Sequence, residues 1–569
     1  MPSEIYCRSH LGRFSPFRLA RLFSGAVQVR VMACAVMVLS FSHGVADAAP
    51  SLPDRSAQVS QVFENLRNDP VRLQMFLRQF PKGADLHNHL VGAVYAESLL
   101  RWAGEEGLCV SVSAGTVLPG SCDVGREGQE KATALPQDPV AWNLMVDALS
   151  MRDFVPGVSD RSGHDHFFGT FDRFLPLQLT RQGDMLAEAR QHAADDHIHY
   201  VELMISPALG AMIASGHPLG LKDSGDLPTA HAALAPRLPA LVAQARAEVD
   251  RMEERARQLL HCPPAGVSGS SQSGGIPPAC RVQVRYLFQS VRTLPAAEVF
   301  AQLEAGYALV RADPRFVGLN IVAPEDNPVA VRDYGLQMAM FHFLNGVMPG
   351  VALSLHAGEL TPALVPPAAL QSHVWQAIET AGAQRIGHGV DVRWEKDPAG
   401  LLALMRRKHV LVEINLTSNQ EILGVSGDQH PFRLYRQAGV PLALSTDDEG
   451  ISRGSLTQEY QKAVDWFGLR YPDLVSLSRT GLEYAFLPGQ SLWQDRQPGH
   501  FVPVCRQAVV GHELPQPCQA LLKSSAKARA QWQLEEDLAA FEERAAREPL
   551  FNPGPPAQLT GGGVRARQP

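Results

Sequence analysis

Eight short apolar runs, each separated from the next by a segment of helical periodicity, constrain the fold of this 569-residue chain most strongly. Apolar runs of this length between helices predict buried parallel strands joined by βα units. Eight such units predict an α/β fold, a (β/α)8 barrel of the TIM type, with its chemistry at the carboxyl ends of the strands. The predicted strands are Ala84–Leu90, His199–Ser206, Val282–Phe288, Phe316–Val322, Val351–Leu355, Arg385–Val390, Val410–Asn415 and Pro441–Ser445.

Residues outside the barrel predict additions at both ends. Residues 49–80 form an N-terminal helical extension, with one helix over Ser56–Phe80, and the barrel itself occupies residues 81–485. Residues 486–569 form a C-terminal extension with a charged helix and a disordered tail. The N-terminal helix either closes the bottom of its own barrel or packs on a second copy in a homodimer, and the sequence leaves both open.

The first 48 residues resemble an export signal. Five arginines precede the apolar run Val31–Phe41, and Ala46-Asp47-Ala48 fits a cleavage site of small residues. The apolar run is short for a membrane span, so we expect no stable membrane insertion after cleavage. An uncleaved anchor is the alternative. The leader predicts an exported protein, periplasmic or secreted.

Six cysteines follow the leader and fall into three pairs that are close in sequence. Each pair brackets a stretch rich in Gly, Pro or Ser, two of which are insertions near residues 108–138 and 261–281. Disulfides form and persist in oxidising compartments, which agrees with export. Reduced thiols are the alternative, whereas zinc knuckles are disfavoured because no C-x-x-C occurs. The predicted disulfides are Cys109–Cys122, Cys262–Cys280 and Cys505–Cys518.

Composition excludes some classes of partner. The chain is 45% hydrophobic and 19% charged, which allows a sizeable core and argues against wholesale disorder. Its formal charge is −7 and it has no dense basic patch. Nucleic acid is therefore not the expected partner.

Four side chains at strand ends could share one metal ion. His87 and His89 are two residues apart on the first strand, so both point to the barrel interior. His356 ends the fifth strand and Asp447 ends the eighth. Three imidazoles and one carboxylate suit zinc and leave room for water. Taken singly, each histidine could also be a packed or capping residue, and Asp447-Asp448 could be a helix N-cap.

Three further polar residues end the same strands. Glu359 follows two small residues after His356 and could move a proton beside the ion. His388 lies between two glycines at the end of the sixth strand, and Asp448 is adjacent to Asp447. Two adjacent buried carboxylates need partners, which a cation and a substrate ring nitrogen would supply.

At these residues the chain resembles the adenosine deaminase family, over roughly Phe80 to Asp465. The leader, the insertions and the pair Glu325-Asp326, which ends the segment Val317 to Asp326, are similar to the family's secreted, growth-factor-related branch. The motifs that carry the resemblance are Pro81-Lys82-Gly83-Ala84-Asp85-Leu86-His87-Asn88-His89, Val317 to Asp326, His356-Ala357-Gly358-Glu359, Gly387-His388-Gly389 and Ser445-Thr446-Asp447-Asp448.

The resemblance implies hydrolysis of the exocyclic amine of a 6-aminopurine, with one zinc per chain held by His87, His89, His356 and Asp447. Glu359 would protonate purine N1 and shuttle the proton of the attacking water. His388 would orient the attacking hydroxide, and Asp448 would hydrogen-bond N7. The backbone N–H of Ala323 would reach N3. The expected reaction converts adenosine, or a close 6-aminopurine nucleoside, to inosine and ammonia.

Three departures from the family pattern bear on the substrate and the barrel. Val91 occupies the position where cytosolic members have an acidic residue that meets the ribose, and Ala323 occupies that of a glycine. Glu202 matches a family glutamate, but Met204 stands where the usual arginine would be, so we expect its salt bridge to be absent.

Three other functions remain open at the level of sequence. One is a deaminase of adenine, a modified adenosine or a nucleotide, the last disfavoured because no Arg/Lys cluster accompanies the motifs. Another is a catalytically silent, secreted nucleoside-binding protein, which would have no need of Glu359. A barrel hydrolase with two metals would use a lysine on the fourth strand, and Phe316–Val322 contains none.

Overall fold

The computed structural model describes residues 52–122, 128–158, 160–264 and 275–551. The predicted signal segment, most of the glycine-rich stretch between Cys262 and Cys280, and the predicted disordered tail lie outside the described residues. Among the described residues, no helix combines the length and the apolar character that crossing a bilayer requires.

The described chain folds as an α/β structure with eleven strands. Eight of them are parallel and correspond to the predicted strands; the other three form a separate antiparallel sheet. The strands are β1 Lys82–His89, β2 Leu108–Ser111, β3 Thr116–Ser121, β4 Glu130–Lys131, β5 Ile198–Ile205, β6 Gln283–Val291, β7 Phe316–Val322, β8 Ser354–Ala357, β9 Arg385–His388, β10 Leu411–Ile414 and β11 Leu442–Leu444.

The parallel strands lie in two sets, β1-β5-β6-β7 and β8-β9-β10-β11, and backbone hydrogen bonds close both seams between them. At the first seam, the N–H of Leu319 donates to the carbonyl of Ala352 over 2.9 Å. At the second, His89 donates to Asp447 over 2.9 Å and Asp447 donates to His87 over 2.8 Å. The sheet is therefore a closed barrel, which confirms the predicted fold.

Helices surround the barrel and extend it at both ends. They are α1 Leu52–Leu66, α2 Pro70–Gln79, α3 Ala96–Glu105, α4 Pro139–Ala148, α5 Gly163–Arg173, α6 Leu175–Thr180, α7 Gln182–Asp195, α8 Leu209–Gly216, α9 Leu227–Leu234, α10 Leu238–Leu259, α11 Pro278–Arg281, α12 Ala296–Ala312, α13 Pro328–Val347, α14 His373–Glu379, α15 Pro398–Lys408, α16 Leu416–Leu423, α17 Phe432–Ala438, α18 Leu456–Phe467, α19 Tyr471–Tyr484, α20 Gln516–Ser524 and α21 Ala526–Arg547.

The prediction of one helix over Ser56–Phe80 is wrong, because the segment forms two helices. Pro70 begins α2, and the Asp69 side chain accepts a hydrogen bond from the N–H of Arg72, as an N-cap does. Phe76 of α2 stacks edge-on against Phe541 of α21, with ring centroids 5.0 Å apart. The N-terminal helices therefore pack within their own chain, next to the start of β1.

All three predicted disulfides are present in the structure. Cys109–Cys122 joins β2 to the residue after β3, so the first insertion contains a small antiparallel sheet that its Gly/Ser/Pro content did not indicate. Cys262–Cys280 ties the residues after α10 to α11, and Cys505–Cys518 ties a loop to α20.

The expected absence of a salt bridge at Glu202 is also wrong. The guanidinium of Arg385, on β9, donates to Glu202 over 2.5 Å, and its Nε lies 2.7 Å from Glu413 on β10. All three side chains are fully buried. The cation comes from across the barrel interior rather than from a neighbour of Glu202 in sequence.

Candidate metal centre

Four ligand atoms converge at the carboxyl ends of β1, β8 and β11. His356 Nε2 lies 3.1 Å from His87 Nε2 and 3.3 Å from His89 Nε2. Asp447 Oδ1 lies 3.4 Å from His87 Nε2 and 3.3 Å from His89 Nε2. Ligands at 2.0–2.1 Å from a tetrahedral zinc ion are separated by about 3.3–3.4 Å, so the spacing fits one divalent ion. The ligand atoms of His87, His356, His388 and Asp447 lie within 4.8 Å of one another, as do those of His89, Asp447 and Asp448, so these buried residues could hold a metal ion.

Each of the three histidines is held through its other ring nitrogen. The three residues that hold them, Glu413 on β10, Gln289 on β6 and Asn320 on β7, were not predicted from the sequence. Glu413 Oε2 is 2.7 Å from His87 Nδ1, Gln289 Oε1 is 2.8 Å from His89 Nδ1, and Asn320 Oδ1 is 2.6 Å from His356 Nδ1.

These contacts determine the state of the rings. Each Nδ1–H donates a hydrogen bond to one of these oxygens. Each Nε2 therefore presents its lone pair to the cluster, as metal-bound histidines require. A polar residue inside an apolar strand was the available sequence signal, as with Glu413 between Val412 and Ile414.

His388 has the opposite arrangement. The side-chain amide of Asn419 donates to His388 Nδ1 over 2.8 Å, so Nε2 carries the proton. Nε2 lies 3.7 Å from both Glu359 Oε1 and Asp447 Oδ2. Burial lowers the pKa of His388 to about 3, so the ring is neutral. This histidine can thus donate a hydrogen bond beside the cluster.

Two carboxyl groups flank the cluster and favour their protonated forms. Burial, reinforced by the charge of Asp447, raises the pKa of Glu359 well above its usual range. Burial also raises the pKa of Asp448 well above its usual range. Asp447 differs: burial favours its neutral form, but the neighbouring rings of His87 and His89 outweigh this and hold its pKa well below the usual range. The site therefore combines one ionised carboxylate with two potential proton donors.

Small residues and positive φ angles make this geometry possible. A Cβ at Gly92 would lie 1.6 Å from Asp448 Oδ1, and one at Gly387 would lie 2.5 Å from His87 Cε1. Both positions therefore exclude a side chain. His388 and Asp447 have φ angles of +69° and +63°, which L-residues rarely adopt and which concentrate at functional sites.

The cluster opens into a cavity of about 550 Å³, a size typical of small-molecule sites. Its floor contains His89, His356, Glu359, His388, Asp447 and Asp448. Phe167, Phe168 and Phe171 of α5 form one wall of the cavity. We call this space the reaction cavity.

Two residues that depart from the family pattern, Val91 and Ala323, line this cavity. Val91 gives the wall an apolar side chain at the position where the family pattern has an acidic residue. Ala323 has a φ angle of +85°, the conformation that glycine adopts without strain. The alanine is therefore accommodated, and it keeps the backbone of a glycine position.

A family model for adenosine deaminase matches residues 266–492. The chain is 37% identical over 147 residues to an adenosine deaminase of Shewanella denitrificans, covering 26% of this chain and 41% of that protein. It is 35% identical over 158 residues to an adenosine deaminase of Shewanella loihica, covering 27% and 44%. The matches thus span less than half the length of these relatives.

Solved structures of low identity were also found. An amidohydrolase of Burkholderia ambifaria with bound zinc has a TM-score of 0.47 at 17% identity, covering 82% of this chain and 94% of that one. An adenine deaminase of Arthrobacter aurescens has a TM-score of 0.45 at 16% identity, covering 72% and 94%. Over residues 266–492 this chain is similar to the adenosine deaminase family.

Proposed function

We propose that this protein is a zinc-dependent aminohydrolase that converts adenosine, or a close 6-aminopurine nucleoside, to the 6-oxo product and ammonia. The observation that carries the proposal is the convergence of His87, His89, His356 and Asp447 beside a cavity lined by the carboxyl groups of Glu359 and Asp448. A pure binding protein would have no use for this set of proton donors.

The side chains around the cluster can each be given a role in this reaction. A divalent ion bound by the cluster would supply Lewis-acid activation of water at neutral pH. Glu359, whose burial favours the protonated form, donates a proton to purine N1 and accepts one from the attacking water, which it gives to the departing amine. The proton that the C6 hydroxyl releases as the 6-oxo group forms returns to Glu359. His388 donates from Nε2 to the attacking oxygen and fixes its direction of approach to C6.

Asp448 is suited to bind the other edge of the purine. N7 of a purine accepts hydrogen bonds, and a protonated Asp448 can donate one. Its Oδ1 is buried and has no hydrogen-bond partner among the described residues. With Glu359 at N1, this places the exocyclic amine at C6 beside the metal cluster, from which it leaves as ammonia.

The test measures metal content and ammonia release together. The purified exported form is expected to hold one zinc per chain and to release ammonia as adenosine absorbance changes. Glu359→Gln is expected to keep zinc and to lose more than about 100-fold in kcat, the usual contribution of general acid–base catalysis. Glu542→Gln, a buried carboxyl that accepts from Tyr471 and does not line the reaction cavity, is the matched control.

Two outcomes would contradict the proposal. Zinc without turnover of adenosine, adenine or another aminopurine would favour a nucleoside-binding protein. Near-normal turnover by Glu359→Gln would refute the assigned proton shuttle.

We also propose that the protein is exported to the periplasm or secreted. The signal-like leader and the three disulfides support this, since such bonds persist in oxidising compartments. Fractionation of cells and N-terminal analysis of the mature protein test it, with a start at Ala49 expected. A full-length chain in the cytoplasm would contradict it.

A further inference from the structure

A second cavity of about 710 Å³ adjoins the reaction cavity. The two share Val91, Gln289 and Val291 as lining residues. Residues of α6, α8 and α10 form the outer walls of the second cavity. Its volume is itself that of a small-molecule site, so a ligand confined to the reaction cavity leaves it unused.

The circular order of the strands gives the direction in which a bound purine points. Ala323 follows β7, Glu359 follows β8 and Asp448 follows β11. Ala323 is assigned to N3, Glu359 to N1 and Asp448 to N7. The order of these nitrogens around the purine then matches the order of β7, β8 and β11 around the barrel. N9 lies between N3 and N7 on the purine, so it faces the remaining arc, formed by β1, β5 and β6.

The shared residues lie on that arc. Val91 follows β1, while Gln289 and Val291 end β6. The sugar at N9 is therefore directed at the boundary between the two cavities, and any group attached to the far side of the sugar extends into the second one.

The lining of the second cavity favours a group without net charge. Its three charged lining residues leave no excess of one sign: Arg255 pairs with the carboxylate of Asp184 over 3.0 Å, and Glu248 and Arg251 have opposite charges. Leu175 and Leu179 line the cavity, yet 50% and 76% of their surfaces are exposed. An apolar group in the cavity would cover part of this surface, which is favourable in water.

We propose that the natural substrate is an adenosine-type nucleoside with a neutral, largely apolar substituent on its sugar, and that the second cavity binds this substituent. This inference rests on the proposed function, because the orientation of the purine uses the roles of Glu359 and Asp448. It adds a substrate class and assigns α6, α8 and α10 to specificity.

The first experiment compares kcat/KM for adenosine, AMP and adenosines with alkylthio chains of one to four carbons at C5′. Each buried methylene is expected to raise kcat/KM about threefold, slightly less than full burial would give. A flat or falling series from an active enzyme would overturn the inference, and so would a preference for AMP over every alkylthio substrate. Failure to release ammonia from any aminopurine would instead refute the proposed function, and the inference with it.

The second experiment fills the cavity. Gly210, in α8, lines it and has nothing within 4 Å of where a Cβ would be, so Gly210→Trp meets no clash at Cβ. Gly346→Trp is the matched control, since Gly346 also lies in a helix with open space at Cβ but lines neither cavity.

The ratio of kcat/KM for the butylthio substrate to that for adenosine is expected to fall at least tenfold in Gly210→Trp and to be unchanged in Gly346→Trp. An unchanged ratio in Gly210→Trp would overturn the assignment of this cavity. Equal loss of both substrates in that variant would do the same.

Discussion

Glu325 is a buried carboxylate that positions the loop carrying Glu359. Its two oxygens accept hydrogen bonds from the backbone N–H groups of Gly358, over 3.1 Å, and of Glu359, over 2.9 Å. His373 Nδ1 lies 2.6 Å away and Arg292 Nη1 lies 3.9 Å away. Burial favours the neutral form, but His373 and Arg292 outweigh it and lower the pKa of Glu325, so the group is an anion.

Glu325→Gln replaces one accepting oxygen by an amide that can only donate. One buried N–H of the loop then lacks an acceptor, which costs about 1–3 kcal/mol. The charge of buried Arg292 also loses its counterion, so we expect a total loss of about 3–5 kcal/mol in the free energy of unfolding. A displacement of Glu359 by about 1 Å would lower kcat roughly 100-fold.

The assay measures kcat and KM with adenosine, zinc content and urea unfolding for the same preparations. We expect a large fall in kcat, a change in KM below about threefold and unchanged zinc content, because Glu325 contacts no metal ligand side chain. Glu395→Gln is the matched control, since Glu395 also accepts from two backbone N–H groups, those of Val374 over 2.7 Å and Trp375 over 3.1 Å.

The control separates positioning from stability. Glu395→Gln is expected to lose stability but to keep kcat, because its loop does not carry Glu359. Equal losses of kcat in the two variants, or a normal kcat in Glu325→Gln, would refute the positioning role.

Three further changes test other parts of the structure. Arg385→Met should lower the free energy of unfolding by about 3–5 kcal/mol in urea, because it leaves two buried carboxylates without their cation; no loss would refute the ion pair. Ala323→Gly should raise that free energy by up to about 1 kcal/mol, since glycine relieves the positive φ; a lower Tm would contradict this. Burial raises the pKa of Glu459 to about 7, so the folded state binds its proton more tightly than the unfolded state. Stability should therefore fall as pH rises from about 4.5 to 7, by up to about 3 kcal/mol for this group, and Glu459→Gln should remove that part of the slope in urea unfolding. Identical slopes in the two proteins would contradict the assignment.

The strand ends could be predicted from sequence because each motif combines an apolar run with a polar terminus. The carboxyl ends of parallel strands meet at one edge of a barrel, so His87, His356 and Asp447 had to lie close together once eight strands were recognised. Local pattern was sufficient for this part of the site.

The residues that hold the histidines could not be found in this way. Gln289 and Asn320 contact histidines on other strands, and such contacts depend on strand register and tilt, which no local pattern encodes. The ion pair of Glu202 illustrates the same limit, because its arginine lies 183 positions later in the chain. The second cavity is likewise a product of packing between α6, α8 and α10.

The central claim is that four side chains from three strands hold one divalent ion. Anomalous X-ray diffraction from crystals of the purified protein, recorded on both sides of the zinc absorption edge, tests it directly. The account predicts one peak within about 2.0–2.2 Å of His87 Nε2, His89 Nε2, His356 Nε2 and an oxygen of Asp447. A peak bound by other residues, or four well-ordered ligands with no peak between them, would contradict it.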